Sequence, residues 1–439
     1  MTDTIGSPWL AYAVLLIVTG VSRLRCGSWF APAAFVGLLW SFFIGVSLLV
    51  VEYPVPGRGL WMLVLLIVAI QMGALIAHEV QPPAKIPVSP GVSNALNSMI
   101  VPCRRYGLLC TAIAMAGCLY FLLSSLEEFG LPFTLIGVLE VGARWTMLRL
   151  GDAFEPWSVR LLVTWFHPAG LLGGILFACS NKRLDRTIGV ITLVPAVAYG
   201  ILTGARAAIL LGLTCWIGGY VATQCMRHPG KLALFSAKRF TVLLLAASCV
   251  VVMFVSIDAV RDTYALQSLV FETKESHLSN YLFGSPVAFA NWYAHSDVSG
   301  AEWGARTFAN EFDLLHLKTR IVGRYTEMSN ELGTEATNIY TLFRGLIEDF
   351  TSFGALLLTA CIGGLANGIY SSTSRNPRRA MFWLSAFYST FLFSPIVSFF
   401  SFNGAALAWL VLGFVLIRTK RRSAPSSLPY LSASESLGP

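Results

Sequence analysis

The chain of 439 residues is 55% hydrophobic and only 12% charged, with a net charge of +8. A soluble domain carries about 25% charged residues, so the composition excludes an ordinary soluble protein and points to a chain that faces lipid. In that setting the positive balance needs no nucleic-acid partner, because positively charged cytoplasmic loops account for it.

A membrane helix needs about 20 mostly apolar residues. In chain order the sequence predicts eleven such spans, at roughly 8–22, 29–51, 59–78, 106–125, 158–180, 187–203, 206–222, 240–258, 351–371, 380–399 and 404–418. The first is expected to stay as an anchor rather than be cleaved as a leader, since no basic stretch precedes it and no small-residue cleavage pattern follows. Two splits rest on tight turns in which glycine is expected to supply the reversal, at Thr203-Gly204-Ala205 and near Asn403-Gly404.

Alternation of eleven spans sorts the loops onto two sides. Arg23 and Arg25; Lys85, Arg104 and Arg105; Lys182, Arg183 and Arg186; Arg227, Lys231, Lys238 and Arg239; Arg375, Arg378 and Arg379; and Arg418, Lys420, Arg421 and Arg422 all fall on one side. Nineteen of the 31 Lys and Arg lie there, against Glu79, Asp185 and Glu435 as its acids. That side is expected in the cytoplasm, with the N-terminus in the periplasm and the C-terminus in the cytoplasm. The expected architecture is all-α, a polytopic membrane helix bundle of about eleven transmembrane helices. Residues 1–422 form its integral membrane domain and residues 423–439 a disordered cytoplasmic tail.

Two periplasmic loops are long, at about 126–157 and 259–350. The run LPFTLIGVLEVGARWTMLRLG in the first suggests a helix lying at the interface. The second, expected to contain amphipathic helices, is the largest polar block, and connections of this length are usually functional. None of the nine cysteines lies in these loops and none forms a CxxC pair. This excludes a disulfide framework or a zinc site and leaves the cysteines as small hydrophobes in the bundle. His277, His295 and His316 lack metal-ligand spacing. There is no Walker A motif, no GxGxxG after a strand and no GxSxG. No metal or cofactor is expected.

Two motifs carry chemistry. In TGARAAILLGL (203–213), Arg206 stands where a tight turn enters a membrane helix. The free N–H groups of the helix start and the guanidinium together make an anion site; the alternative is an arginine that snorkels to the interface. In ATNIYTLFRGLIEDF (336–350), helical spacing puts Ile339, Leu342, Phe343, Leu346 and Phe350 on one apolar stripe. Thr337, Thr341, Arg344 and Glu348 fall on another face, with Asn338 and Asp349 nearby. A polar stripe running into a membrane span is costly unless it lines a cavity or is paired. The alternative is an Arg344–Glu348 ion pair at i,i+4 on a solvated cap. The rest of the large loop is basic and aromatic, suited to sugar faces and phosphates or to an interfacial aromatic belt.

These segments, together with YLFGSPVAFANWY (281–293) and TNIYTLFRGLIEDFTSFGALLL (337–358), resemble the O-antigen polymerase family, the oligosaccharide repeat-unit polymerases of the Wzy type. The resemblance implies a metal-independent glycosyltransferase of the inner membrane. It would transfer a growing glycan from undecaprenyl pyrophosphate to the non-reducing end of a new lipid-linked repeat unit at the periplasmic face. Arg206 matches the family arginine, and Asn338, Tyr340 and Thr341 match its Asn-x-Tyr-Thr segment and could bind sugar hydroxyls or phosphate. Asp349 matches its acidic position and, with Glu348, is a candidate to position or deprotonate the acceptor. By charge and place, Arg344, then Arg261 and Arg324, are candidates to face the leaving pyrophosphate, and Tyr325 is a candidate for substrate binding. The sequence departs from many members in lacking a glycine soon after Phe350. Related O-antigen ligases often carry a histidine where Thr337 stands, which favours polymerase over ligase. The implied partners are undecaprenyl-pyrophosphate-linked oligosaccharides and membrane lipids, with a polysaccharide chain-length regulator as a candidate. The rival readings are an O-antigen ligase and a lipid-linked oligosaccharide flippase or other transporter.

Overall fold

The computed structural model describes residues 7–50, 54–80, 90–150, 155–227, 283–296, 301–318 and 341–422. Among these residues all regular structure is helical. Helices α1 to α5 span Pro8–Cys26, Pro32–Val50, Gly57–Val80, Pro90–Phe129 and Leu135–Leu150; α6 to α10 span Trp157–Val163, Phe166–Cys179, Arg183–Ile191, Val194–Thr203 and Arg206–Arg227. Helices α11 to α15 span Ser285–His295, Ala309–Leu314, Leu342–Ser371, Pro377–Phe393 and Asn403–Arg422, with a 3₁₀ turn at Phe399–Ser401. Eight helical stretches among the described residues are long and apolar enough to cross a membrane. The apolar stretch 240–258 and the tail 423–439 lie outside the described residues.

The bundle is apolar on its outside as well as in its core. On α1, Leu10, Ile17 and Leu24 repeat every seven residues and are 55%, 66% and 81% exposed, while Ala11 and Leu15 are fully buried. Two turns of helix separate such positions, so they form one outward stripe. In water such a surface would be an aggregation hazard; in lipid it costs nothing.

Two close helix crossings set the frame. A Cβ on Gly73 of α3 would sit 1.9 Å from the Ala360 carbonyl oxygen of α13, and one on Gly363 would sit 2.0 Å from the Ile70 oxygen. Each glycine thus faces the carbonyl three residues before its partner glycine, and the two helices run parallel, because Tyr293 of α11 bridges Arg58 at the start of α3 to Ser352 in the first half of α13. A like crossing joins α7 and α10, where Gly174 meets the Trp216 oxygen at 1.9 Å and Gly219 the Leu171 oxygen at 2.5 Å, and Arg227 at the end of α10 donates to the Ala178 and Cys179 carbonyls at the end of α7, so this pair is parallel too. Helix α14 runs the other way, with Ser389 against Gly218 and Met381 beside Thr223 of α10. Helices α3, α7, α10 and α13 therefore all begin at one end of the bundle, called the upper end below.

The turn expected at Thr203-Gly204-Ala205 is present, with Gly204 at φ 60. The second expected turn is not where the sequence suggests. Helix α14 ends at Phe393, and the reversal uses Ser394 to Phe402 around the 3₁₀ turn. Gly404 instead lies against the His167 ring, 2.0 Å from where its Cβ would stand to Nδ1, so it serves close packing of α15 on α7. The run 135–150 is a helix, as expected. Its Val141 and Trp145 are buried against Phe121 of α4, with Trp145 Nε1 donating to Ser125 at 2.8 Å, while Phe133, Leu135 and Ile136 are exposed.

Candidate functional site

The upper end gathers the unusual features of the described chain in one place. Helix α13 is broken at Thr351, whose backbone stands at φ 61 and ψ 172, a region that L residues rarely occupy. The break would strand the carbonyls of Glu348 and Asp349, whose helical partners lie beyond it. The segment 301–318 supplies replacements: Glu302 N–H donates to the Glu348 carbonyl and Trp303 N–H to the Asp349 carbonyl, each at 3.1 Å. The Asp349 side chain completes the clip, accepting the Arg306 N–H at 2.9 Å and the Thr307 N–H at 2.7 Å. The non-glycine residues with positive φ among those described are Trp303, His316 and Thr351, all within this clip and break.

A file of alternating charges runs inward through the clip. Lys318 pairs with Glu302, which accepts from Arg306 at 2.9 Å; Arg306 lies 3.6 Å from Glu348, which accepts from Arg344 Nε at 2.8 Å. Side-chain exposure falls along it, from 48% at Lys318 to 15% at Glu348 and 5% at Arg344. The Arg344–Glu348 ion pair foreseen from its spacing is therefore present, but it is enclosed rather than on a solvated cap. The Arg344 guanidinium also lies over the Trp292 ring of α11, 4.9 Å from its centroid. A guanidinium held by a carboxylate and a ring face is fixed in direction, which a cation must be to stabilise charge as it develops.

Burial alone would raise the Glu302 carboxyl, but hydrogen bonds from Lys318 and Arg306, and their charges, hold it below the usual range. Glu311 of α12 is pushed upward by burial.

Around this file lie polar atoms that the fold encloses without a hydrogen-bond partner among the described residues. They are Ser285 Oγ and Asn291 Nδ2 on α11, Thr307 Oγ1 in the clip, and Thr341 Oγ1 at the start of α13. Such groups are rare in folded proteins, and here they offer hydroxyls and an amide to a polyhydroxylated ligand. Helix α11 is held against α3 by Gly59, where a Cβ would fall 2.0 Å from the Ala290 oxygen. Its Tyr293 hydroxyl meets Ser352 at 3.2 Å, just past the break, and its ring takes Arg58 at 5.8 Å.

Of the residues singled out from sequence, Thr341, Arg344, Glu348 and Asp349 come together here. Thr341 is not on the expected helical stripe; it precedes the helix, in extended backbone. The stripe also does not continue into the membrane span, because the break at Thr351 ends its register. Arg206 opens α10, buried, beyond the Gly204 turn on which Thr146 of α5 closes. It shares the upper end with Arg344. Arg261, Arg324, Tyr325, Asn338 and Tyr340 lie outside the described residues.

Sequence reading missed the partnership of Trp292 with Arg344 and the role of Asp349 in holding residues 303–307. The i,i+4 spacing of Glu302 and Arg306, and the Trp303-Gly304 turn, were the available signals. No family model, curated protein or solved structure matches the chain.

Proposed function

We propose that the chain is a glycosyltransferase that polymerises lipid-linked oligosaccharide repeat units at the periplasmic face of the inner membrane. The observation that carries this reading is the buried, doubly fixed guanidinium of Arg344 at the start of a membrane-length helix, surrounded by enclosed hydroxyl and amide groups. In the transfer, a hydroxyl at the non-reducing end of the new unit attacks the anomeric carbon of the growing glycan. The bond from that carbon to the pyrophosphate oxygen breaks, and undecaprenyl pyrophosphate departs with its charge. Arg344 and Arg206 face the leaving phosphates. Glu348 is the better group to accept the acceptor's proton, since both Asp349 oxygens already accept backbone N–H groups. Trp303, exposed at the tip of the clip, gives a flat surface on which a sugar ring can stack.

The eleven-span topology fits the helix directions. Helix α10 ends at the lower end and α13 begins at the upper one, so the chain between them has to return, as a span at 240–258 requires. A transporter would place charge along its spans. Apart from Arg104 and Arg105, which lie inside the long helix α4, the charged residues of the described membrane-length helices instead lie towards the ends or, on α13, before the break.

The test is reconstitution in vesicles with lipid-linked repeat units alone. Longer products support polymerisation, and loss of them in Arg344→Ala and Arg206→Ala, with insertion unchanged, supports the assigned roles. Products that appear only when lipid A core is added indicate a ligase. Movement of the unit across the membrane without elongation indicates a flippase.

A further inference from the structure

We propose that the lower end carries a binding site for an anionic phospholipid, formed where α4, α8 and the end of α7 meet. Arg104 NH1 lies 3.3 Å from Asp185, joining α4 to α8. Asp185 is buried and also accepts the Ser180 hydroxyl at 2.7 Å, so its charge is consumed inside the fold. Two further arginines are equally committed. Arg186 donates to the Ser180 carbonyl at 3.1 Å, and Arg227 donates to the Ala178 and Cys179 carbonyls, capping the end of α7.

Three more cations surround this network and are not consumed by it. Arg105 follows Arg104; Lys182 is tied to Ser180 through its backbone N–H at 3.2 Å; Arg183 opens α8. All three are exposed, and none has a carboxylate partner among the described residues. Six cations therefore stand against the single carboxylate of Asp185, and three of them point their charge outward.

The neighbouring surface decides what kind of anion fits. Leu108 and Leu109 of α4 and Leu184 and Val190 of α8 are each at least 40% exposed beside these cations. A free phosphate would use the cations alone. A phospholipid uses both surfaces, its phosphate on Arg105, Lys182 and Arg183 and its acyl chains along the aliphatic strip. Guanidinium pairs grip phosphate oxygens bidentately, so a doubly charged lipid such as cardiolipin is expected to bind more tightly than a singly charged one. The site is independent of the glycan chemistry proposed for the upper end.

The experiment uses the full chain, purified in a neutral detergent and examined by native mass spectrometry with cardiolipin, phosphatidylglycerol or phosphatidylcholine added. Cardiolipin is expected to be retained most and phosphatidylcholine least, with millimolar inorganic phosphate unable to displace the lipid. The variant Arg105→Gln/Lys182→Gln/Arg183→Gln should weaken cardiolipin retention by about a hundredfold, at roughly fivefold per cation. A control carrying Arg375→Gln/Arg379→Gln/Arg418→Gln should retain lipid as the parent does. Equal retention of all three lipids, displacement by phosphate, or an equal loss in the control overturns the proposal. Should the triple variant fail to insert, the single variants Arg105→Gln and Arg183→Gln carry the same test at smaller amplitude.

Discussion

The Asp349 carboxylate accepts the Thr307 backbone N–H at 2.7 Å, and through this bond a residue beside a helix break fixes a segment more than forty positions away in sequence. The adjacent Arg306 N–H binds the other oxygen at 2.9 Å. An acid saturated in this way positions the clip, and in the proposed reaction it leaves proton transfer to Glu348.

Asp349→Asn tests that division. The amide keeps one acceptor but turns an NH₂ toward a second N–H, so one charged hydrogen bond is replaced by a donor facing a donor. The expected cost is about 2–3 kcal/mol in the closure of the clip. Limited proteolysis should show faster cleavage within 301–318 while the membrane helices stay protected, and polymer formation should fall in proportion. Complete loss of activity with a clip as resistant as the parent's would return Asp349 to the role of base.

Acidification should open the same clip. Burial alone would raise Glu302, but the hydrogen bonds and charges of Lys318 and Arg306 hold it below the usual carboxylate range. A depressed acid stabilises the fold fully above its unfolded value and loses that contribution as pH falls through the lower folded value. Protease resistance of 301–318 should therefore be flat at neutral pH and collapse below about pH 4.5, with Glu302→Gln flattening the profile. Glu311 works with the opposite sign, since its raised value favours the closed form as pH drops, so the titration belongs in a Glu311→Gln background. A profile unchanged by Glu302→Gln would show that the ion pairs do not hold the clip.

The close crossings make a sharper forecast for the bundle. Ala at Gly73 or Gly363 places a methyl about 2 Å from a backbone oxygen of the other helix, and backbone cannot rotate aside. Each change should separate α3 from α13 and lower stability by at least about 3 kcal/mol, as strong overpacking does. Gly20 on α1 has nothing within 4 Å of its Cβ position, so Gly20→Ala should be neutral or stabilise by roughly 0.5–1 kcal/mol. Thermal unfolding in detergent checks all three, and a Gly73→Ala protein as stable as its parent would refute the close crossing.

The eight membrane-length helices among the described residues were legible because hydropathy needs no tertiary information, and the Arg344–Glu348 pair because i,i+4 spacing implies contact on any helix. What encloses that pair was not legible, since Trp292 and the clip lie far off in sequence. The stretch from Ser394 to Phe402 reads as a continuing apolar span. It is instead drawn into a loop in which the Ser394 carbonyl accepts the Leu342 N–H at 2.8 Å and its hydroxyl the Trp40 Nε1 donor at 3.1 Å. Nothing in Phe350-Thr351-Ser352 announces a break, because the bonds that make it bearable come from Glu302 and Trp303.

Thr351 offers the last test. Its φ of 61 with ψ of 172 belongs to a region open in practice to glycine alone, and such strain costs of order 1–3 kcal/mol. Thr351→Gly removes the clash of the branched side chain but adds glycine's greater freedom in the unfolded chain, worth roughly 0.5–1 kcal/mol against folding. The net expectation is a gain of about 1 kcal/mol in stability. Thr351→Ala, which keeps a Cβ, should recover little of it. If the strain also holds Arg344 in place, the glycine variant will be more stable and less active, with slower elongation and unchanged insertion. A glycine variant no more stable than the parent would mean that the break carries no strain and that the clip alone sets the geometry of the site.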